Sequence, residues 1–230
     1  MKKLDLLEKK LGVKFNNRQI LNRALTHRSY LNEAKEKSLK SNERLEFLGD
    51  SILSFIVSDW LFQQYPQYLE GILTNLRSSL VKTDSLARMA QQLEIGDYLF
   101  LSKGEEESNG RKNPSLLADA LEAVIGAIYL DQGYEASKGF ILSNLQSPLE
   151  ELVQSGELKD YKSLLQEKLQ AEEKRSPIYK TIKEEGPDHD KKFTVGVFDE
   201  KRLLAKGIGK SKQSAEELAA KHALESKSIK

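Results

Sequence analysis

The 230-residue chain contains no cysteine. Disulfides and thiolate metal sites are therefore excluded, and the composition fits a reducing, cytoplasmic setting. Its three histidines, His27, His189 and His222, lie far apart in sequence and offer no zinc-type cluster. Any metal is then held by oxygen, which favours a hard cation such as Mg²⁺, with Mn²⁺ able to substitute. The opening MKKLDLLEKKLGVKF is amphipathic and charged, without the uninterrupted apolar core of a signal peptide. Excess charge of one sign is also missing, since the net charge is only +1. That balance hides a division. Residues 1–160 carry 20 basic and 23 acidic side chains, whereas residues 161–230 carry 16 and 12. A front of −3 joined to a tail of +4 suggests that the tail meets a polyanion.

Long apolar runs are scarce, and the most apolar segment carries two acids. LLADALEAVIGAIYL (116–130) has Asp119 and Glu122 as its only polar side chains. At 100° per residue they sit about 60° apart on one face of a helix that is otherwise apolar or small. The segment is too short and too charged to cross a bilayer, so no membrane partner is expected. A helix apolar nearly all round is normally buried. Two carboxylates buried side by side cost several kcal/mol per ion unless a proton or a cation neutralises them. The pair points to a metal site.

The periodicity is helical from residue 1 to about 150. Leu4, Leu7 and Leu11 mark a helix that Gly12 ends, and Asn16 or Asn17 can cap a second through Ile20, Leu21, Ala24 and Leu25. Residues 32–41 read as a loop. Ser41 or Asn42 then caps a long helix from Glu43 to about Tyr65, ended by Pro66. Further helices are expected at 71–81, 83–93, 114–131 and 135–147, with a charged loop at 103–114. VQSGELKD (153–160) is polar and reads as a linker. Beyond it comes a short helix through Tyr161, Leu164, Leu165 and Leu169. Three strand-like runs follow, PIYKTIKEE, KFTVGVFDE and RLLAKGIG, the middle one alternating Phe193, Val195 and Val197 with Thr194 and Gly196. Ser211 caps a last helix with Ala215, Leu218, Ala219 and Leu224 facing inward. The expected architecture is an all-α domain (1–152), a linker (153–160) and a small α+β domain of order α-β-β-β-α (161–227).

The long helix opens with NERLEFLGDSIL (42–53), which puts Glu43, Glu46 and Asp50 within about 60° of one another. Leu45, Leu48, Ile52, Phe55 and Ile56 occupy the opposite side. Alone, such acids would form a solvated face. Phe47 and Leu53 flank them, however, and the helix bearing Asp119 and Glu122 needs a neutralising partner. Two acidic faces closing on a divalent ion answer both points.

This segment resembles the signature of bacterial ribonuclease III, and LLADALEAVIGAIYLDQG is similar to that family's second acidic segment. ALTHRSY (24–30), YLEGILTNLRSSLV (68–81) and GEEESNGR (104–111) also fit. DYKSLLQEKLQ, SPIY, EGPDHDKKF and GIGKSKQSAEELAAKHAL resemble its double-stranded-RNA-binding domain. The resemblance implies an all-α endonuclease domain followed by that RNA-binding domain. It places the metal ligands on Glu46, Asp119 and Glu122 and the catalytic acids on Asp50 and Glu122. Glu43 and Glu70 match supporting acids. It also implies a homodimer, for which Phe47, turned away from the apolar stripe, is the expected interface anchor, and no small-molecule cofactor. His27 is read as an ordinary structural histidine. Arg77 and Lys82 face RNA or merely coat a helix, and Arg111 lies in a loop like the family's substrate-facing one.

In the tail, the resemblance puts RNA contacts on Gln166 and Glu167, on His189, and on Lys210 and Lys212 at the start of the last helix. Lys212 is followed by Gln213 where the family often has a second basic residue. The implied activity is divalent-metal-dependent hydrolysis of double-stranded RNA, leaving 5′-phosphates and short 3′ overhangs, in the maturation of ribosomal and other structured RNAs. A non-catalytic RNA-binding homologue would be expected to lose one of the acids, and all six are present. A hydrolase of small phosphate esters leaves the basic tail without a task.

Overall fold

The computed structural model describes residues 2–155, 161–173, 176–187 and 191–226. The chain divides into two compact units, Met1–Leu158 and Lys159–Lys230.

The first unit is helical: α1 (Lys2–Leu11), α2 (Arg18–Ala24), α3 (Glu43–Gln64), α4 (Glu70–Val81), α5 (Thr83–Gln92), α6 (Lys103–Glu107) and α7 (Pro114–Ser155). Gly12, at φ 66°, ends α1. Asn17 caps α2, its side chain accepting from the Gln19 N–H, while Asp131 accepts from the N–H groups of Asn16 and Asn17 at 2.8 Å each. α3 starts differently from the expectation. Asn42 occupies the cap position without capping by its side chain, and the Ser41 hydroxyl is spent on the Glu43 carboxylate at 2.7 Å. The expected loop at 103–114 also contains a turn of helix, α6, capped by Ser102, and a 3₁₀ turn at Gly110–Lys112.

α7 is two helical arms joined at Gly133, whose φ of 82° is open to glycine and strained for other residues. The second arm passes through Pro148 and ends at Ser155, so Val153, Gln154 and Ser155 are helical where the polar composition suggested a linker. The first arm is the centre of the unit. Leu117, Leu121, Val124, Ile125 and Ile128 are fully or almost fully buried.

α3 lies against that arm, and the contact is made by backbone. A Cβ built on Gly49 would stand 1.8 Å from the Glu122 carbonyl oxygen, and one on Gly126 would stand 2.3 Å from the Leu45 carbonyl oxygen. The buried line of α3 therefore passes through Gly49, along Leu45, Leu53, Ile56, Val57 and Leu61. That line is rotated toward the acids relative to the expected stripe. Leu48 and Ile52 are only half-buried, and Phe55, expected inside, is 61% exposed.

The second unit contains α8 (Tyr161–Glu173), β1 (Ile178–Glu185), β2 (Lys192–Asp199), β3 (Arg202–Gly209) and α9 (Lys212–Glu225). The strands form an antiparallel sheet in the order β1-β2-β3, pairing Tyr179 with Val197 and Val197 with Ala205. Leu165, Leu169, Val197, Leu204, Ala219, Ala220 and Ala223 make its core. Gly207 lets α9 lie directly on β3, since its Cβ would stand 2.2 Å from the Ala215 carbonyl oxygen. The small residues Ala215, Ala219, Ala220 and Ala223 consequently form the buried line of α9. Leu218, expected inside, is 36% exposed, and Leu224 is half-buried, because a larger side chain would hold the helix off the sheet. Ser211 and Ser214 cap α9 reciprocally.

Gly49→Ala should lower the stability of the first unit by about 3 kcal/mol or more, since overpacking here presses on backbone and no flexible side chain can give way. Denaturant unfolding of the full chain against the neutral surface change Ser51→Ala tests this; equal stability would mean that the two helices part without cost.

Candidate active site

The α3–α7 crossing fixes where the acids meet. Glu46 lies one turn before Gly49, and Glu122 one turn before Gly126 while its own carbonyl faces Gly49. Oxygens of Glu46, Asp119 and Glu122 come within 4.8 Å of one another. All three side chains are half-buried, so the expected full burial of Asp119 and Glu122 is corrected: the arm opens to solvent along this one edge.

Burial and mutual repulsion act in the same direction on this cluster. The Glu122 carboxyl is pushed up to about 7, first by burial and then by Asp50, Asp119 and Glu46. Burial also raises Glu46, helped by Asp119, Glu43 and Asp50. Asp119 is raised by burial, while His27 works the other way and favours its ionised form. Three hard oxygen donors that repel one another, with no nitrogen or sulfur among them, fit a divalent cation of the Mg²⁺ or Mn²⁺ type.

The other expected acids divide. Asp50 is exposed beside the three, where its charge reaches both Glu46 and Glu122. Glu43 is exposed, accepts from the Ser41 hydroxyl and pairs with Arg28 at 3.5 Å. Glu70 is not brought to the cluster. It stands in the first turn of α4, takes a 2.8 Å hydrogen bond from the Thr74 hydroxyl, and lines a hollow with Ser58, Leu61 and Phe62. Those residues lie 12–16 positions beyond Glu46 on α3, on the order of 20 Å along the helix.

Three basic residues are also accounted for. Arg77 donates to the Ser58 hydroxyl at 3.0 Å, bracing α4 on α3, and Lys82 is exposed. Arg111 donates to the Gly96 and Leu99 carbonyls at 2.9 Å and pairs with Glu106, so its guanidinium holds the loop together and does not project.

Phe47 is 78% exposed, and it is not isolated. Phe55 and Phe62, the latter 72% exposed, share an α3 sector about 80° wide with it, and Phe55 meets the Tyr134 ring just past the α7 bend at 6.1 Å. Tyr129 and Leu130 are exposed as well. The sequence pattern assigned Phe55 to the core and overlooked Phe62; the shared sector of the three aromatics was the available signal.

In the second unit Gln166 and Glu167 stand exposed on neighbouring positions of α8, and Lys210 and Lys212 flank Ser211 at the start of α9. His189 lies outside the described residues. Lys212 is already engaged: its Nζ is 2.9 Å from a Glu184 oxygen and sits over the Phe193 ring. That contact holds the Glu184 carboxyl below its ordinary range.

The apo site should destabilise the fold as pH rises. Glu122 takes up its proton at higher pH when folded than when unfolded, so between about pH 4.5 and 7 the folded state binds more protons and stability falls with rising pH. Melting curves with a chelator should show that decline; added Mg²⁺ and the variant Glu122→Gln should each flatten it. A chelated wild type and Glu122→Gln with identical pH profiles would refute the repulsion.

Comparison with known proteins agrees with this layout. Residues 17–149 match the Ribonuclease-III-like family and residues 161–227 the double-stranded RNA binding motif. Ribonuclease 3 of Pelotomaculum thermopropionicum is 46% identical over 222 residues, 96% of this chain and 92% of that protein. Ribonuclease 3 of Borreliella afzelii is 47% identical over 214 residues, 93% and 87% of the two chains. The crystal structure of the nuclease domain of ribonuclease III from Campylobacter jejuni aligns with a TM-score of 0.59 at 41% identity, covering 64% of this chain and 97% of that one. A second structure of that Campylobacter domain, at TM-score 0.58 and 41% identity, covers 63% and 96% and is described as flexible in a region involved in dimer formation. With both of its units matched in order, and with relatives this similar over nearly its whole length, the chain belongs to the ribonuclease III family of double-strand-specific endoribonucleases.

Proposed function

We propose that this enzyme is a divalent-metal-dependent endoribonuclease that hydrolyses phosphodiester bonds in double-stranded RNA, leaving 5′-phosphates and short 3′ overhangs. Ribosomal RNA precursors and other structured transcripts in the cytoplasm are the proposed substrates. The observation that carries the reading is the convergence of Glu46, Asp119 and Glu122 within 4.8 Å in a chain that also holds an RNA-binding fold. Among the described residues no helix is long and apolar enough to cross a membrane.

Glu46, Asp119 and Glu122 are the groups that would hold the cation. When bound, such an ion makes a water nucleophilic at neutral pH and neutralises the charge that builds on the phosphate oxygens. Without it, the same acids repel the RNA backbone. Asp50, exposed beside them, is the catalytic acid nearest the solvent side, and Glu43 adds charge at the start of the helix. Gln166 and Glu167 can accept from 2′-hydroxyls, while Lys210 and the capped start of α9 suit phosphate. Lys212 contributes after release from Glu184 or through the ion pair's edge, so Lys210 carries the larger share. His189 is assigned to RNA by the family resemblance. Glu70, remote from the acids of its own chain, keeps a supporting role only through a neighbouring RNA segment or subunit.

Glu122→Gln should cut duplex cleavage by at least 1,000-fold, about 4 kcal/mol of lost transition-state stabilisation, while binding of a perfect RNA duplex stays within a few-fold. Cleavage assays with and without Mg²⁺, paired with electrophoretic binding assays, read both quantities. Substantial cleavage by the variant, or metal-independent cleavage by the wild type, would sink the assignment.

The aromatic sector of α3 supports a homodimer, because an exposed cluster of Phe47, Phe55 and Phe62 is unusual on a solvated helix. Phe55→Asp combined with Phe47→Asp should sediment as a monomer with unchanged helicity. A dimeric double variant would move the interface elsewhere.

A further inference from the structure

The acids of the site pose a problem that a single cation does not solve. Glu43, Glu46, Asp50, Asp119 and Glu122 lie within electrostatic reach of one another, and one divalent ion does not offset them all. Phosphates on either side of the scissile one would still meet an acidic edge. Among the described residues, one basic side chain stands within ion-pairing distance of any of these acids. It is Arg28, whose Nη1 lies 3.5 Å from a Glu43 oxygen. Arg23 spends its Nε on the Ser41 carbonyl at 3.1 Å. Arg44 follows Glu43 at about 100° around the helix, away from Glu46 and Asp50.

Backbone contacts set the place of Arg28. It opens a 3₁₀ turn, Arg28–Asn32. Just before it, the His27 N–H donates to the Phe100 carbonyl at 3.1 Å, and the Asn42 N–H donates to the Thr26 carbonyl at 2.8 Å. Asn42 precedes Glu43, so the segment carrying Arg28 is tied to the start of α3. Glu43 is steadied as well, its other oxygen accepting from the Ser41 hydroxyl at 2.7 Å. Glu46 lies one turn further on, about 5 Å along the helix axis. The guanidinium itself is loosely engaged. The Arg28 side chain is 72% exposed and that of Glu43 54%, and the long contact uses a single N–H of a group that has several. Exposed pairs of this kind add little to stability. A phosphate that takes two parallel N–H bonds makes the stronger partner.

We propose that Arg28 is a substrate-binding residue of the cleavage reaction: its guanidinium rests on Glu43 in the free chain and grips a phosphate flanking the scissile bond in the RNA complex. This inference rests on the metal-dependent reading above and adds to it the residue that holds the cleaved strand against an acidic surface. Glu43 keeps the guanidinium aimed along the site until RNA arrives, which gives that acid a task outside the cluster of Glu46, Asp119 and Glu122.

RNA duplexes carrying a single methylphosphonate, which deletes the charge of one phosphate, map the contact. With the full chain and Mg²⁺, wild-type cleavage should slow when the neutral linkage replaces a phosphate flanking the scissile bond. Arg28→Ala should cut the unmodified duplex about 10- to 100-fold more slowly at subsaturating RNA, as expected for a misplaced substrate. That same linkage should cost Arg28→Ala little more, while every other linkage penalises the two proteins alike. Arg28→Lys should recover part of the rate, since a point charge replaces the two-pronged donor. Manganese titration calorimetry without RNA should give Arg28→Ala an affinity equal to or above that of the wild type, because a neighbouring positive charge is gone. A weakened Mn²⁺ affinity would mean that Arg28 acts through the carboxylates, and would overturn the proposal. So would a wild-type rate in Arg28→Ala, the absence of any wild-type penalty at the flanking phosphates, or penalties that add in full at every linkage. Should Arg28→Ala melt below the wild type, Arg28→Gln, which keeps a neutral donor for Glu43, takes its place in the same measurements. A wild type that binds Mn²⁺ and cuts duplex while the Arg28 variants match it refutes this inference alone. A wild type that does neither overturns the metal-nuclease reading with it.

Discussion

The structure depends on one contact, the meeting of α3 and α7 at backbone distance through Gly49 and Gly126. Helices separated by ordinary side chains run 8–10 Å apart, far enough for acids on each to point past one another. Here a carbonyl of one helix sits where a Cβ of the other would be. The acids one turn away have little freedom to separate, and the solvent between them is reduced. Rotation of the buried line of α3 toward Gly49 follows from the same contact. Glu46 becomes half-buried, and Phe55 is turned out to the surface.

That closeness opposes stability. His27 offsets part of this at Asp119, while burial and the neighbouring acids push the Glu122 carboxyl up to about 7 and so oppose its ionisation. An ordinary core would replace such groups with apolar side chains and gain by it. The surrounding arm of α7 is apolar enough to hold its shape regardless, with Leu121, Val124, Ile125 and Ile128 fully buried beside the acids. The site is stable because its scaffold is over-determined, and its repulsion is one that the proposed cation would relieve. Ligand recruitment and folding are thereby linked: a cation that binds only the folded chain stabilises it.

Much of this was legible in the sequence because it follows from local rules. The ends of α1 and α3, the caps at Asn17 and Ser211, the strand through Val195 and Val197, and the acids on both helices are short-range signals; the expected alternation at Gly196 is absent, since it is buried with both valines. Tertiary demands account for the discrepancies. Phe55 and Leu218 look like core by type and spacing, but the close helix–helix and helix–sheet approaches admit glycine and alanine in their place. Asn42 is a favoured capping residue, but its own backbone is helical (φ −74°, ψ −17°) where a cap requires an extended one, so its side chain makes no cap hydrogen bond. Glu70 matches a supporting acid of the family in a separate segment and stands beside Ser58, Leu61 and Phe62, near the far end of α3. Arg111 lies in a loop like the family's substrate-facing one and is drawn to the Gly96 and Leu99 carbonyls and to Glu106. His27, read as structural because a lone histidine usually is, has its Nδ1 2.8 Å from the Ser29 hydroxyl, whose oxygen also accepts from the Ser102 N–H.

The two units use helix starts in opposite ways, and this explains their opposite charge. The first turn of α3 contains Glu43 and Glu46, so the positive end of that helix dipole already faces acids of its own chain. The first turn of α9 contains no acid; Ser211 and Ser214 satisfy each other, and Lys210 and Lys212 add positive charge to a positive helix end. Lysines at that position are unfavourable for the helix alone. In the proposed RNA-binding role, an approaching phosphate would reverse the sign of the interaction, meeting the helix dipole and Lys210 together. Glu184 holds Lys212 until then, which limits the self-repulsion of the free domain. In the proposed function, one unit concentrates negative charge that a cation would offset, and the other positive charge that RNA would offset.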